Sequence, residues 1–174
     1  MKKLLVTGGS GFIGSNFIHY ILSKQNYSII NLDALTYAGN ELNNDKYLNN
    51  PNYEFVQGDI AAPKIAQKIF KNNKIDYLVN FAAESHVDRS IQNPLVFLNT
   101  NIIGTYNLLR ASQEYSNKNK SFRFLHVSTD EVYGSLDAKG NPFTENNKYA
   151  PNSPYSASKA SSDHFVRAWF HTYK

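Results

Sequence analysis

Five apolar runs mark the chain, at residues 4–6, 28–33, 53–57, 75–81 and 122–128. Each is too short for a buried helix and close to continuously apolar, the pattern of a strand covered on both faces. Between the runs the period changes. Phe12, Ile13, Phe17, Ile18, Ile21 and Leu22 recur at helical spacing, and Pro63 opens a stretch in which Ile65/Ile69 and Ala66/Phe70 pair at i, i+4. Asn93-Pro94 reads as the N-cap and first position of a long helix reaching about residue 115. Ser153-Pro154 caps a last helix expected to run to the chain end. Residues 34–52 are polar and rich in asparagine, a loop with a short helix near 42–48. Strands alternating with helices run parallel, because each right-handed crossover returns the chain to the same end of the sheet. The expected fold is α/β, a doubly wound Rossmann-type sheet of order 3-2-1-4-5, with residues 1–174 as one dinucleotide-binding domain.

Ligands of such a sheet bind at the carboxyl ends of its strands. Those ends carry the glycine turn Gly8–Gly14, Asp33, Asp59, residues 82–85 and residues 128–131. Gly8, Gly11 and Gly14 follow a strand and open a helix, so backbone N–H groups can approach a diphosphate with no side chain in the way. A glycine turn alone is equally well a structural loop. Asp33, at the end of the second strand and about 20 residues further on, stands where a ribose-binding acid belongs and favours a dinucleotide.

Composition narrows the field. Of the 174 residues, 41% are hydrophobic and 18% charged, which is globular. The net charge of +4 comes without any dense Lys/Arg block interleaved with aromatics, so a nucleic-acid partner is not expected. With no cysteine, disulfides and thiolate chemistry are excluded. The apolar run after Lys2 and Lys3 stops at Thr7, short of a signal peptide, and no stretch reaches transmembrane length; the expectation is a cytoplasmic protein without a membrane partner. His19, His86, His126, His164 and His171 form no credible metal set, and His86 reads as structural. Phe165, Trp169, Phe170 and Tyr173 on the last helix are expected in the core.

Candidate chemistry gathers after strand five. Adjacent acids such as Asp130 and Glu131 are, taken alone, more often solvated loop charges. Tyr155 and Lys159 change the balance, being one helical turn apart. An ammonium beside a phenol favours the phenolate, so the pair is expected to lower the phenol pKa and make Tyr155 a base towards an alcohol. Tyr20 and Lys24 share the spacing but lie towards the far end of the helix that begins at the glycine turn, away from the strand tips.

Thr7-Gly-Gly-Ser-Gly-Phe-Ile-Gly14, the Tyr155/Lys159 pair and Thr129 together resemble the extended short-chain dehydrogenases/reductases. Within that superfamily, residues 35–40, 82–90, 128–134 and 153–161 are similar to blocks of the dTDP-glucose 4,6-dehydratases, and the resemblance covers the whole chain. It is most specific at Thr129-Asp130-Glu131: sugar-nucleotide epimerases lack the acid pair, and GDP-mannose dehydratases usually carry Ser where Asp130 stands.

The resemblance implies NAD as cofactor, a nucleotide-sugar substrate, and conversion of dTDP-glucose to its 4-keto-6-deoxy form. That is oxidation at C4, loss of water across C5–C6, and return of the hydride to C6. It implies Tyr155 and Lys159 for the redox step, Glu131 as base at C5 and Asp130 as acid at C6. Thr129 would orient the C4 hydroxyl, and Ser85 would reach substrate and cofactor. Gly8, Gly11, Phe12, Ile13, Gly14, Asp33, Asp59, Ile60, Ala82, Ala83, Thr100, Tyr155 and Lys159 would line the NAD site, with no metal. The family continues for roughly as long again with a smaller substrate domain, and the complete member is expected to be a homodimer. The chain is then either a fragment or a shortened relative. Two alternatives stay open: another sugar-nucleotide dehydratase or 4-epimerase, and a non-catalytic NAD-binding module.

Overall fold

A computed structural model describes residues 1–136 and 140–173. They form two compact units, Met1–Ala82 with Asn107–Val127 and Ala83–Tyr106 with Ser128–Lys174.

The first unit holds the sheet. Strands β1 (Lys2–Thr7), β2 (Tyr27–Asp33), β3 (Tyr53–Gln57), β4 (Tyr77–Asn80) and β5 (Arg123–His126) are all parallel, in the order β3-β2-β1-β4-β5. The order matches and every run carries a strand; β1 and β2 extend a residue or two beyond their runs, β3 coincides with its own, and β4 and β5 are trimmed by a residue or two at each end. Side-chain alternation divides the strands between two cores. Leu5, Ile30, Leu32 and Leu78 pack against α2 (Ile65–Asn72) through Ala66, Ile69 and Phe70, and against Leu108 and Ala111. Leu4, Val6, Ile29 and Val79 face the other way, onto Ile18 and Leu22 of α1 (Phe12–Ser23). Fully burying such side chains stabilises the fold by roughly 1.5–3 kcal/mol each, which is why both faces must be covered. A 3-10 helix, Glu41–Tyr47, occupies the Asn-rich segment.

The helical region before β5, which starts in the second unit and ends in the first, is broken. A short helix α3 (Val87–Gln92), which the sequence pattern does not announce, precedes α4 (Pro94–Phe97), a π-helical stretch Leu98–Gly104 and α5 (Thr105–Ser116). Pro94 opens α4 as expected, but Asn93 makes no side-chain cap. The π turn adds a residue to the local winding and re-aims side chains around Thr100 and Asn101. The last helix, α6, spans Pro154–Tyr173, and its start is capped by the Ser153 hydroxyl accepting from the Ser156 N–H at 3.0 Å; Lys174 lies outside the described residues. The aromatic set on α6 departs from expectation. Phe165, Trp169 and Tyr173 stack along one i, i+4 face, yet Phe165 and Tyr173 stay largely exposed and Phe170, off that face, is 70% exposed. Among the described residues no helix is long and apolar enough to cross a membrane.

Candidate active site

In the first unit the glycine turn is held at close quarters. Gly8 sits at φ +70°, and a Cβ there would lie 2.6 Å from the Ala82 nitrogen, so the backbone just past β4 runs directly against the turn. A Cβ on Gly14 would meet the Gly8 carbonyl oxygen at 2.2 Å. Gly11 is different: it is the N-cap of α1, no side chain caps the helix, and a Cβ would find its nearest neighbour at 3.4 Å. The opening of α1 is thus uncovered, with unpaired first-turn N–H groups and a positive dipole end. Phe12 and Ile13 beside it are 83% and 63% exposed, apolar side chains left facing outward where a ligand is expected. Asp33 is buried, its two oxygens accepting from the N–H groups of Ser10 and Leu35, both at 2.8 Å. Leu35 adopts φ +53° to present that N–H, a strained conformation for a leucine. Asp59 is exposed and turns back to the Ala61 N–H, whereas the Ile60 side chain lies in the core, leaving only its backbone to serve a ligand.

The second unit carries the remaining candidates. Thr129 caps the 3-10 helix Asp130–Tyr133, its hydroxyl oxygen accepting from the Glu131 N–H at 3.3 Å. The same side chain acts on the Tyr155 phenol and lowers its pKa. Asp130 is exposed and Glu131 half-buried, and both charges act on Tyr155. Tyr155 and Lys159 stand one turn apart on α6, 8% and 4% exposed. Burial pushes the Tyr155 phenol above its ordinary value, the Thr129 side chain works against that, and Glu131, Asp130 and Asp163 add to it. This reverses the expected direction, because the low-dielectric surroundings that give Tyr155 its fixed position also disfavour its anion. Burial also brings the Lys159 ammonium down to about 8, with Asp163 opposing the shift. The rejected pair differs in kind: Lys24 lies over the Tyr20 ring at 4.4 Å, a cation–π contact on an exposed tyrosine.

Two residues absent from the sequence reading organise this unit. Asn101, buried in the π-helical stretch, accepts from the Glu84 N–H and donates to the Glu84 carbonyl, both at 2.9 Å, and donates to Ser158 Oγ at 2.8 Å. Ser158 Oγ in turn donates to the Tyr155 carbonyl. The segment bearing exposed Ser85 is thereby tied to the turn bearing Tyr155. Asp163 accepts from the hydroxyls of Ser128 and Tyr149, at 2.5 and 3.1 Å, so both ends of the connection between β5 and α6 meet one carboxylate. The Tyr149 phenol is pushed up to about 12, chiefly by burial. Asp163, at i+4 from Lys159, was within reach of a spacing argument; Asn101 was not.

The model of the family described as GDP-mannose 4,6 dehydratase matches residues 5–174. The chain belongs to that family. Among curated members, the dTDP-glucose 4,6-dehydratase of Neisseria meningitidis serogroup B is 49% identical over 178 residues, covering 99% of this chain and 50% of the relative. Of solved members, the Bacillus anthracis dTDP-glucose 4,6-dehydratase in complex with NAD superposes with a TM-score of 0.85 at 47% identity, covering 99% of this chain and 52% of the other. The Streptomyces venezuelae dTDP-glucose 4,6-dehydratase with NAD bound gives 0.89 at 45% identity, covering 98% and 52%. The chain therefore spans about half the length of the family members it matches.

Proposed function

We propose that the protein is an NAD-dependent hydro-lyase that converts dTDP-glucose to dTDP-4-keto-6-deoxy-glucose. The observation that carries this reading is Thr129, whose side chain lowers the Tyr155 phenol pKa while also capping the turn that bears Asp130 and Glu131. Redox and elimination groups then share one support.

NAD fits the first unit's residues. The uncapped start of α1 suits a diphosphate, and Asp33 suits the adenosine ribose. Phe12, Ile13, Asp59, the Ile60 backbone and Ala82 would complete that part. Bound NAD supplies the two-electron acceptor that the C4 oxidation requires and the donor that completes C6.

The chain's own groups handle the protons. Thr129 orients the C4 hydroxyl of the sugar, and Tyr155 Oη takes its proton. Lys159, charged below about pH 8, offsets the negative charge that develops on the phenol. With a carbonyl at C4 the C5 proton is acidic; Glu131 removes it and Asp130 protonates the departing C6 hydroxyl. A 4-epimerase has no elimination step and so no use for the acid pair. The reading extends to a cytoplasmic homodimer, which the family resemblance implies.

Residues 1–174 grafted in place of the matching half of the meningococcal dTDP-glucose 4,6-dehydratase are expected to support formation of the 4-keto-6-deoxy sugar from dTDP-glucose. A graft that folds and binds NAD yet only interconverts C4 epimers would overturn the reading in favour of an epimerase.

A further inference from the structure

The Asn-rich segment has a use that its loop-like sequence does not suggest. Asn44, 1% exposed, donates from its side-chain amide to the Gly9 carbonyl at 2.8 Å. Asn43 donates to the Ser10 carbonyl at 2.8 Å, which also accepts from the Asn40 N–H at 3.0 Å. On their other sides the same peptides are fixed too: the Ser10 N–H donates to Asp33, and the Gly11 N–H to the Gly8 carbonyl. His19 Nε2 meets the Asn43 carbonyl at 2.8 Å, tying the segment to α1. Below the turn, Asn31 donates to Ser10 Oγ at 3.1 Å and to the Tyr53 hydroxyl at 3.0 Å.

Asn44 Oδ1 is buried without a hydrogen-bond partner. An apolar side chain of similar size would remove that unpaired oxygen but would also take away the donor from which the Gly9 carbonyl accepts, so it is that one bond that the amide supplies. What the amide does accomplish is to hold the Gly9–Ser10 peptide plane.

We infer that Asn43 and Asn44 are positioning residues for dinucleotide binding, clamping the carbonyls of the glycine turn so that its N–H groups and the start of α1 are already oriented for a diphosphate. The inference rests on the NAD reading above. Preorganisation of this kind removes an ordering cost from binding, so its loss weakens affinity without touching any group in contact with the ligand.

The test is calorimetric titration of NAD and of ADP into the 174-residue protein and into Asn44→Leu and Asn43→Ala, with thermal midpoints measured alongside and backbone amide exchange at Ser10 and Gly11 followed by NMR. Asn44→Leu is expected to weaken both ligands roughly ten-fold, and Asn43→Ala two- to three-fold, because Ser10 keeps its bond from Asn40. The exchange of the Ser10 and Gly11 amides should quicken in both variants while the thermal midpoint stays within about 2 °C. Should Asn44→Leu fail to fold, Asn43→Ala decides alone. Unchanged affinities in variants of a protein that binds NAD overturn the clamp and leave the NAD reading standing; a parent protein that binds neither ligand overturns both. Affinity loss matched by collapse of the thermal midpoint in both variants also overturns the clamp, in favour of a purely structural role.

Discussion

Tyr155 and Lys159 show how burial sets the terms on which two residues act. The Thr129 side chain is the lowering influence on a phenol that burial and three carboxylates raise. Thr129→Val is therefore expected to move the acid limb of the C4-oxidation pH profile to higher pH. Glu131→Gln removes one raising charge, so oxidation should survive and its limb should shift downwards, while elimination falls roughly 100- to 10,000-fold. Stopped-flow absorbance of reduced nicotinamide in the grafted protein separates the two steps; a Glu131→Gln form that cannot oxidise bound substrate would remove Glu131 from the elimination role. Lys159 makes a stability prediction of opposite sign to its functional one. Its pKa falls on folding from 10.5 to about 8, so between those values the unfolded chain binds more protons. The cost of burying the cation is complete below about pH 8 and gone above 10.5. Lys159→Met should accordingly stabilise the protein by roughly 1–3 kcal/mol at pH 7 and less at pH 10, while abolishing the redox step. Urea denaturation at the two pH values measures the difference.

At the scale of elements, the glycine turn separates glycines that the fold needs from one that the proposed site would need. Gly14→Ala puts a methyl into the Gly8 carbonyl and is expected to lose at least about 2 kcal/mol of stability. Gly11→Ala has room, with its nearest contact at 3.4 Å and an ordinary φ of −76°, and should fold normally. Its methyl would stand at the mouth of α1, so NAD affinity should fall by ten-fold or more while the thermal midpoint holds. The strands were legible because a strand buried on both faces must be apolar at every position, and the order followed from the crossover rule. The glycine turn and Asp33 were legible because their spacing is imposed by one local βαβ unit. Asn101 was not, since its partners Glu84 and Ser158 are 17 and 57 residues away and a buried asparagine in a helical stretch has no spacing of its own. The break of the 94–115 helix into α4, a π turn and α5 escaped for a related reason: the pattern records which faces are apolar, not the extra residue in one turn. The pKa of Tyr155 escaped because spacing gives a neighbour but no degree of burial.

For the whole molecule, two electrostatic influences on cofactor choice oppose one another. A net charge of +4, with a pI of about 9.1, attracts the more anionic dinucleotide, and taken alone would favour NADP. That field is spread over the surface and is screened within about 8 Å at physiological salt. In the proposed site Asp33 would act at contact range, its carboxylate fixed in direction by the Ser10 and Leu35 N–H groups, and Ala34, Leu35 and Thr36 offer no cation to a 2′-phosphate. Two charges about 4 Å apart interact by about 1 kcal/mol in bulk water and about 4 kcal/mol at the effective dielectric near a protein surface, so the local term should prevail. Calorimetry at 150 mM salt is expected to show NAD bound at least ten-fold more tightly than NADP. Lowering the salt should strengthen both, NADP more steeply, without reversing the order. Asp33→Asn should narrow the gap mainly by improving NADP. Equal affinities in the parent protein at 150 mM salt would mean that Asp33 does not face the ribose, and would withdraw it from the cofactor site.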